Sequence, residues 1–419
     1  MKINPFKEKP VDIDKSYDSW SKMSAYSYDK KTASPYTKTR VILMNGTEFE
    51  ATWFTHNFHR HCPNNEIRRE LAKVRRREQQ QQKIISSLKP LDESILETTI
   101  SYEQLAIDLT AILAKHVKDE NVKNALNFAL IEDFDHLYRY ANLLQMEHGI
   151  SAKDIVKDYT EITPGRPTIS EHRYPEDDIK KWICNNLADP YTKLVVSIIT
   201  AAEQQTMNYY MNVGNIYPSI LGRQLYTEIA MIEEQHVSQY GGLIDTTTSW
   251  LECWLMHEYV ECYLYYSCYE DETDATIKEL WHQFYLEECG HLQRVAELLY
   301  KYEGKPWQSV FTCGGDFPQL LKFEGNIDYI QDVLKNTVTI TADREGFIRV
   351  EDLTEDSDFY RYNSMVNKNL GKVASHVVIE QYIKKYGKDY RSERSKNPVA
   401  ELTDRTKDNV DLARVSTNQ

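Results

Sequence analysis

The sequence predicts a mainly α protein, an antiparallel bundle of about six helices in three hairpins with small mixed N- and C-terminal extensions. Three observations predict it. From Tyr102 to Tyr302 apolar residues recur at three- and four-residue steps, the period of a helix with one buried face. Residues that favour helix starts, Asp119, Ser219 and Asp271, stand near the beginnings of the periodic runs. A glutamate, an acidic residue thirty places on and a histidine thirty-three places on occur three times: Glu103, Asp133 and His136; Glu203, Glu233 and His236; Glu258, Glu288 and His291.

In chain order, residues 1–90 form an N-terminal extension with short strands and a charged helix. Val41 to Trp53 alternates around Asn45-Gly46, which predicts a β-hairpin. Asn64 to Ser87 carries Arg75, Arg76, Arg77 and Gln79 to Gln82, a helix with a solvated or interfacial face. Residues 91–304 hold the bundle, with helices near 100–117, 120–148, 188–214, 219–244, 248–270 and 273–303. The break from Gly149 to Asp189 contains Pro164-Gly165-Arg166-Pro167 and Tyr174-Pro175 and is a connector. Residues 305–419 form an α+β extension. It has a helix at Phe323–Leu334, a hairpin at Val338–Val350, a last helix at Met365–Tyr386 and a polar tail from 387.

The chain has 419 residues, with Asp plus Glu 64 against Lys plus Arg 50 and a formal charge of −14. Such a surface repels nucleic acid and anionic membranes. The N-terminus has no apolar signal segment, and no apolar run is long enough to span a bilayer. Seven cysteines without a Cys-x-x-Cys suit a reducing cytoplasm and exclude a zinc ribbon or a built-in rubredoxin-type relay. Nucleotide-binding glycine loops and serine-hydrolase elbows are absent.

The recurring triplets carry the chemistry. Residues three apart share a helix face, so a helical Glu-x-x-His offers a carboxylate and an imidazole side by side. At 1.5 Å per residue, thirty residues run down one helix and back up the next to the same level. Composition alone gives about 0.2 occurrences of the full pattern in such a chain. Buried carboxylates cost several kcal/mol each unless cations offset them, which makes metal their natural partner. The set suits two iron or two manganese ions.

Connector lengths suggest which hairpins pair. His136 to Glu203 spans 67 residues, room for a crossover, whereas His236 to Glu258 spans 22. The expected site is therefore Glu103, Asp133, His136, Glu203, Glu233 and His236. The third hairpin would meet its own copy in a homodimer and make a second metal site, or would pair with the first. Asp133 is one methylene shorter than the glutamate of the other triplets, so Glu132 is an alternative ligand. Glu261, one turn beyond Glu258, is an extra ligand or solvated.

On these nine residues the chain resembles the ferritin-like superfamily of di-iron carboxylate proteins, over about 100–303. The resemblance implies chemistry with oxygen or hydrogen peroxide at two bridged metals, hence a cytoplasmic oxidoreductase fed by an external electron donor. The alternatives are a non-catalytic iron-binding or storage protein, or a structural bundle with zinc or no metal. Tyr140 and Tyr240, each four residues after a motif histidine, would donate hydrogen bonds to ligands or carry an electron, or simply pack in the core. Cys289 is a redox candidate or a small buried filler. His56, His59, His61 and Cys62 form a further histidine-rich cluster that could bind a separate metal.

Overall fold

The computed structural model describes residues 3–24 and 26–403. The described chain is mainly α, and it forms two compact units, each assembled from separated stretches. The first comprises Met1–Glu93, Trp182–Gln205 and Ile244–Phe323; the second comprises Ser94–Lys181, Thr206–Leu243 and Glu324–Gln419.

In the first unit, α1 (Pro35–His61) and α2 (Asn65–Ser87) make one helical hairpin. The expected β-hairpin at Val41–Trp53 is not formed: those residues lie inside α1. Ser34 accepts a hydrogen bond from the Tyr36 amide and Pro35 sits in the first turn, which starts the helix. Gly46 is there for space rather than for a turn. A Cβ at that position would come within 2.7 Å of the Gln205 Cβ. The face of α2 expected to be solvated is largely buried, with Arg77, Glu78, Gln80 and Gln81 inside. A second helical hairpin closes the unit. It consists of α8, Trp250–Asp271, and α9, Ala275–Glu303; α1 packs on α8 and α2 on α9. Asp274, not Asp271, caps α9, accepting from the Thr276 and Ile277 amides. Asp271 ends α8 and receives Arg40 at 2.7 Å.

The second unit is organised around α4 (Glu120–His148), which packs against α3 (Ile95–His116), α7 (Ile220–Gly241), α10 (Ile327–Thr337) and α12 (Ala374–Tyr386). Capping box Ser94–Glu97 starts α3, Asp119 starts α4 and Ser219 starts α7. Helix α6, Pro190–Ile216, passes from the first unit into the second after Gln205. Within the connector lies a short helix, α5, Lys153–Val156. Gly165 lets the connector touch α4, since a Cβ would come within 2.8 Å of the Ile131 carbonyl. The hairpin after α10 forms as expected, Ile340–Asp343 (β1) pairing antiparallel with Gly346–Arg349 (β2). The single helix expected at Met365–Tyr386 is divided into α11 (Asp358–Val366) and α12. Asn367, Asn369 and Gly371, poor helix formers, occupy the break. The tail beyond residue 403 lies outside the described residues. No helix among those described is long and apolar enough to cross a membrane.

Candidate metal centres

The nine predicted ligands divide between the two units. The second unit brings together Glu103 from α3, Asp133 and His136 from α4, and Glu233 and His236 from α7, all fully buried. Single donor atoms of Glu103, Asp133, His136 and Glu233 lie within 4.8 Å of one another, as do those of Asp133, Glu233 and His236. Glu233 sits between the two rings, one oxygen 3.0 Å from His136 Nδ1 and the other 3.2 Å from His236 Nδ1. His236 Nδ1 is also 3.3 Å from Asp133. Glu203 is buried on α6, in the stretch of that helix that belongs to the first unit.

Each imidazole turns its other nitrogen outward onto a carboxylate that an arginine holds. His236 Nε2 donates to Glu132 at 2.7 Å, and Glu132 accepts from Arg173 at 2.5 Å. His136 Nε2 is 3.5 Å from Glu171, which accepts from Arg139 at 2.5 Å. Glu132 is therefore an outer carboxylate, and Asp133 is the member of the donor group. Such backing fixes ring orientation and raises ligand basicity. Burial would raise the Glu132 carboxyl, but Arg173, His236 and Arg166 hold it down at about 2. Burial, helped by Arg139 and His236, pushes His136 well below its usual pKa and keeps it neutral, the form that binds metal. Glu171 is pushed well above the usual range by burial, against the pull of Arg139.

Tyr140 packs within a tyrosine cluster, its ring 5.4 Å from Tyr210 and 5.0 Å from Tyr226. Its hydroxyl has no hydrogen-bond partner among the described residues. The tyrosine that grips a donor is Tyr210, whose hydroxyl donates to Glu103 at 2.5 Å. Tyr240 is buried with its ring 6.3 Å from His236.

The remaining triplet, Glu258, Glu288 and His291, belongs to the first unit. Its partner hairpin is α1–α2 of the same chain. Donor atoms of Glu78, Glu258 and His291 fall within 4.8 Å of one another, and so do those of Glu258, Glu261 and Glu288. Glu261 is buried, not solvated. Glu48 on α1 is buried too, and burial first, then the neighbouring carboxylates with Glu48 among them, raises the carboxyls of Glu258 and Glu261. Cys289 is buried beside this cluster, and every cysteine is free. His56, His59, His61 and Cys62 join no donor group among the described residues.

Sequence reasoning missed Glu48, Glu78 and Gln81, yet they obey the same spacing: thirty residues from Glu48 to Glu78 and three more to Gln81. A search allowing glutamine in the histidine place would have found them. It also missed Glu171, Arg139 and Arg173, for which no periodic signal exists. No protein family, curated protein or solved structure matches the chain.

Proposed function

We propose that the second unit is a ferritin-like di-iron or di-manganese carboxylate oxidoreductase acting on oxygen or hydrogen peroxide with an external electron donor. One observation carries this reading: two buried imidazoles share a carboxylate at 3.0 and 3.2 Å, and each faces an outer carboxylate held by arginine. The donor set of carboxylates and neutral imidazoles fits iron or manganese. Glu103, Asp133, His136, Glu233 and His236 would hold the metals. Bound there, the metals supply electrons and Lewis acidity to the oxygen substrate.

The chain's own residues set the geometry. Glu132 accepts the outward proton of His236, and Glu171 lies 3.5 Å from Nε2 of His136, so that Nδ1 of each ring faces the cluster. Tyr210 fixes one oxygen of Glu103. A cavity of about 700 Å³ is lined by His172 and Gln235, each one residue from a member of this network, Glu171 and His236.

Iron-loaded full-length protein should consume hydrogen peroxide in the presence of a reductant, and Asp133→Ala with His236→Ala should lower the rate at least 100-fold. Retention of zinc alone, with no redox change and no peroxide consumption after iron loading, overturns the reading.

A further inference from the structure

The first unit surrounds a dense knot of acid that nothing in the second unit's chemistry requires. Glu48, Glu78, Glu258, Glu261 and Glu288 come from all four of its long helices, and none is more than 1% exposed. Two of them, Glu48 and Glu258, are half-satisfied, and Glu288 is met on both oxygens. Tyr265 donates to one oxygen of Glu48, Trp254 to one oxygen of Glu258 at 2.6 Å, and Gln81 to one oxygen of Glu288 at 2.6 Å. Among the described residues, the second oxygens of Glu48 and Glu258 have no hydrogen-bond partner. Neither oxygen of Glu78 or Glu261 has one. His291 donates through Nδ1 to Glu288 at 2.8 Å, and its Nε2 has no partner. Arg77, buried next to Glu78 in sequence, is engaged by Glu287 at 2.7 Å and Asp18 at 2.9 Å. Leaving such groups dry and unpaired costs several kcal/mol each, so their lone pairs call for a cation.

From this arrangement we propose that the first unit holds a second metal centre, a pair of hard divalent cations of the manganese(II) kind, bound by Glu48, Glu78, Glu258, Glu261, Glu288 and His291. The metal preference follows from the donors. The second unit offers two imidazoles. Here one of the two histidine places is taken by Gln81, and an additional carboxylate, Glu261, points in. Oxygen-rich sets favour manganese or magnesium, and imidazole favours iron or zinc. The proposal stands on the first unit alone and survives even if the second unit proves to be something else.

The test uses the full chain stripped with a chelator and dialysed against manganese(II) alone. Elemental analysis should count about two more manganese ions per chain in wild type than in Glu78→Gln/Glu261→Gln. Electron paramagnetic resonance should show a coupled manganese pair in Asp133→Ala/His236→Ala that disappears when Glu78→Gln/Glu261→Gln is added to it. Asp133→Ala/His236→Ala, in the other unit, should retain that pair. Equal manganese content in wild type and Glu78→Gln/Glu261→Gln, or loss of the coupled pair only on Asp133→Ala/His236→Ala, overturns the proposal. Gln81→His keeps every carboxylate and gives an independent check. It should shift iron-against-manganese competition toward iron by about tenfold, and an unchanged preference also counts against the proposal.

Discussion

Replacing Glu132 by glutamine removes a charge but little volume, at a position where three cations or donors converge. Arg173 at 2.5 Å, Arg166 at 3.5 Å and His236 at 2.7 Å all face it. Its carboxyl sits at about 2 in the folded protein, against 4.5 for the ordinary group. At 1.36 kcal/mol per pH unit, that difference is about 3 kcal/mol of stability. The sign follows from the depression. The stabilisation is fully present above pH 4.5 and is lost as pH falls toward 2. Arg173 keeps a second partner, Asp178 at 2.9 Å, so the loss should not exceed the value for one broken buried pair, about 3–5 kcal/mol. Two measurements on Glu132→Gln test this. The melting temperature of metal-stripped protein at pH 7 should fall by about 6–12 °C. The binding isotherm for iron(II) in the second unit should weaken 10- to 100-fold, because the His236 ring loses its charged anchor. An unchanged affinity beside a lowered melting temperature would show that Glu132 supports the fold only. If neither quantity moves, the outer-carboxylate argument is wrong.

Further predictions concern other parts of the molecule. Metal-stripped protein should lose stability as pH rises above the ordinary carboxylate range, because burial raises Glu78 and its folded form favours the proton; Glu78→Gln should flatten that slope in thermal melts from pH 5 to 8. Gly46→Ala should lower the melting temperature. The helix-propensity gain of about 1 kcal/mol is outweighed by the clash with Gln205, about 1–3 kcal/mol, and a more stable variant would contradict the packing. Tyr210→Phe should weaken iron(II) binding and cost about 1.5–3 kcal/mol, read in chemical denaturation, since Glu103 loses a hydroxyl donor.

The helical core was legible because burial imposes a period. Six of the long helices lie where the apolar spacing placed them, and Asp119 and Ser219 cap as their positions suggested. The acidic-histidine triplets were legible because one level of a hairpin fixes a thirty-residue return. What escaped had weaker or misleading local marks. Asn45-Gly46 reads as a turn from the two residues alone; only the approach of Gln205 explains a glycine within α1. The run of arginine and glutamine in α2 reads as solvent-facing until a polar interior is available to receive it, and Gln81 hides the fourth repeat by one residue type. Glu171 and Arg173 lie in an irregular connector, where contact partners are set by tertiary folding and leave no spacing to read.

The discontinuous first unit has a consequence for how the chain is made. The donors of the second unit's cluster named by position are complete once His236 has been synthesised, whereas Glu48 and Glu78 emerge early and must wait for Glu258, Glu261, Glu288 and His291. Until then α1 and α2 carry two acidic side chains with no partner hairpin to bury them, and loop closure over the intervening sequence is slow. Nascent chains halted after residue 245 should therefore expose the apolar face of α1–α2 to chaperones and proteases.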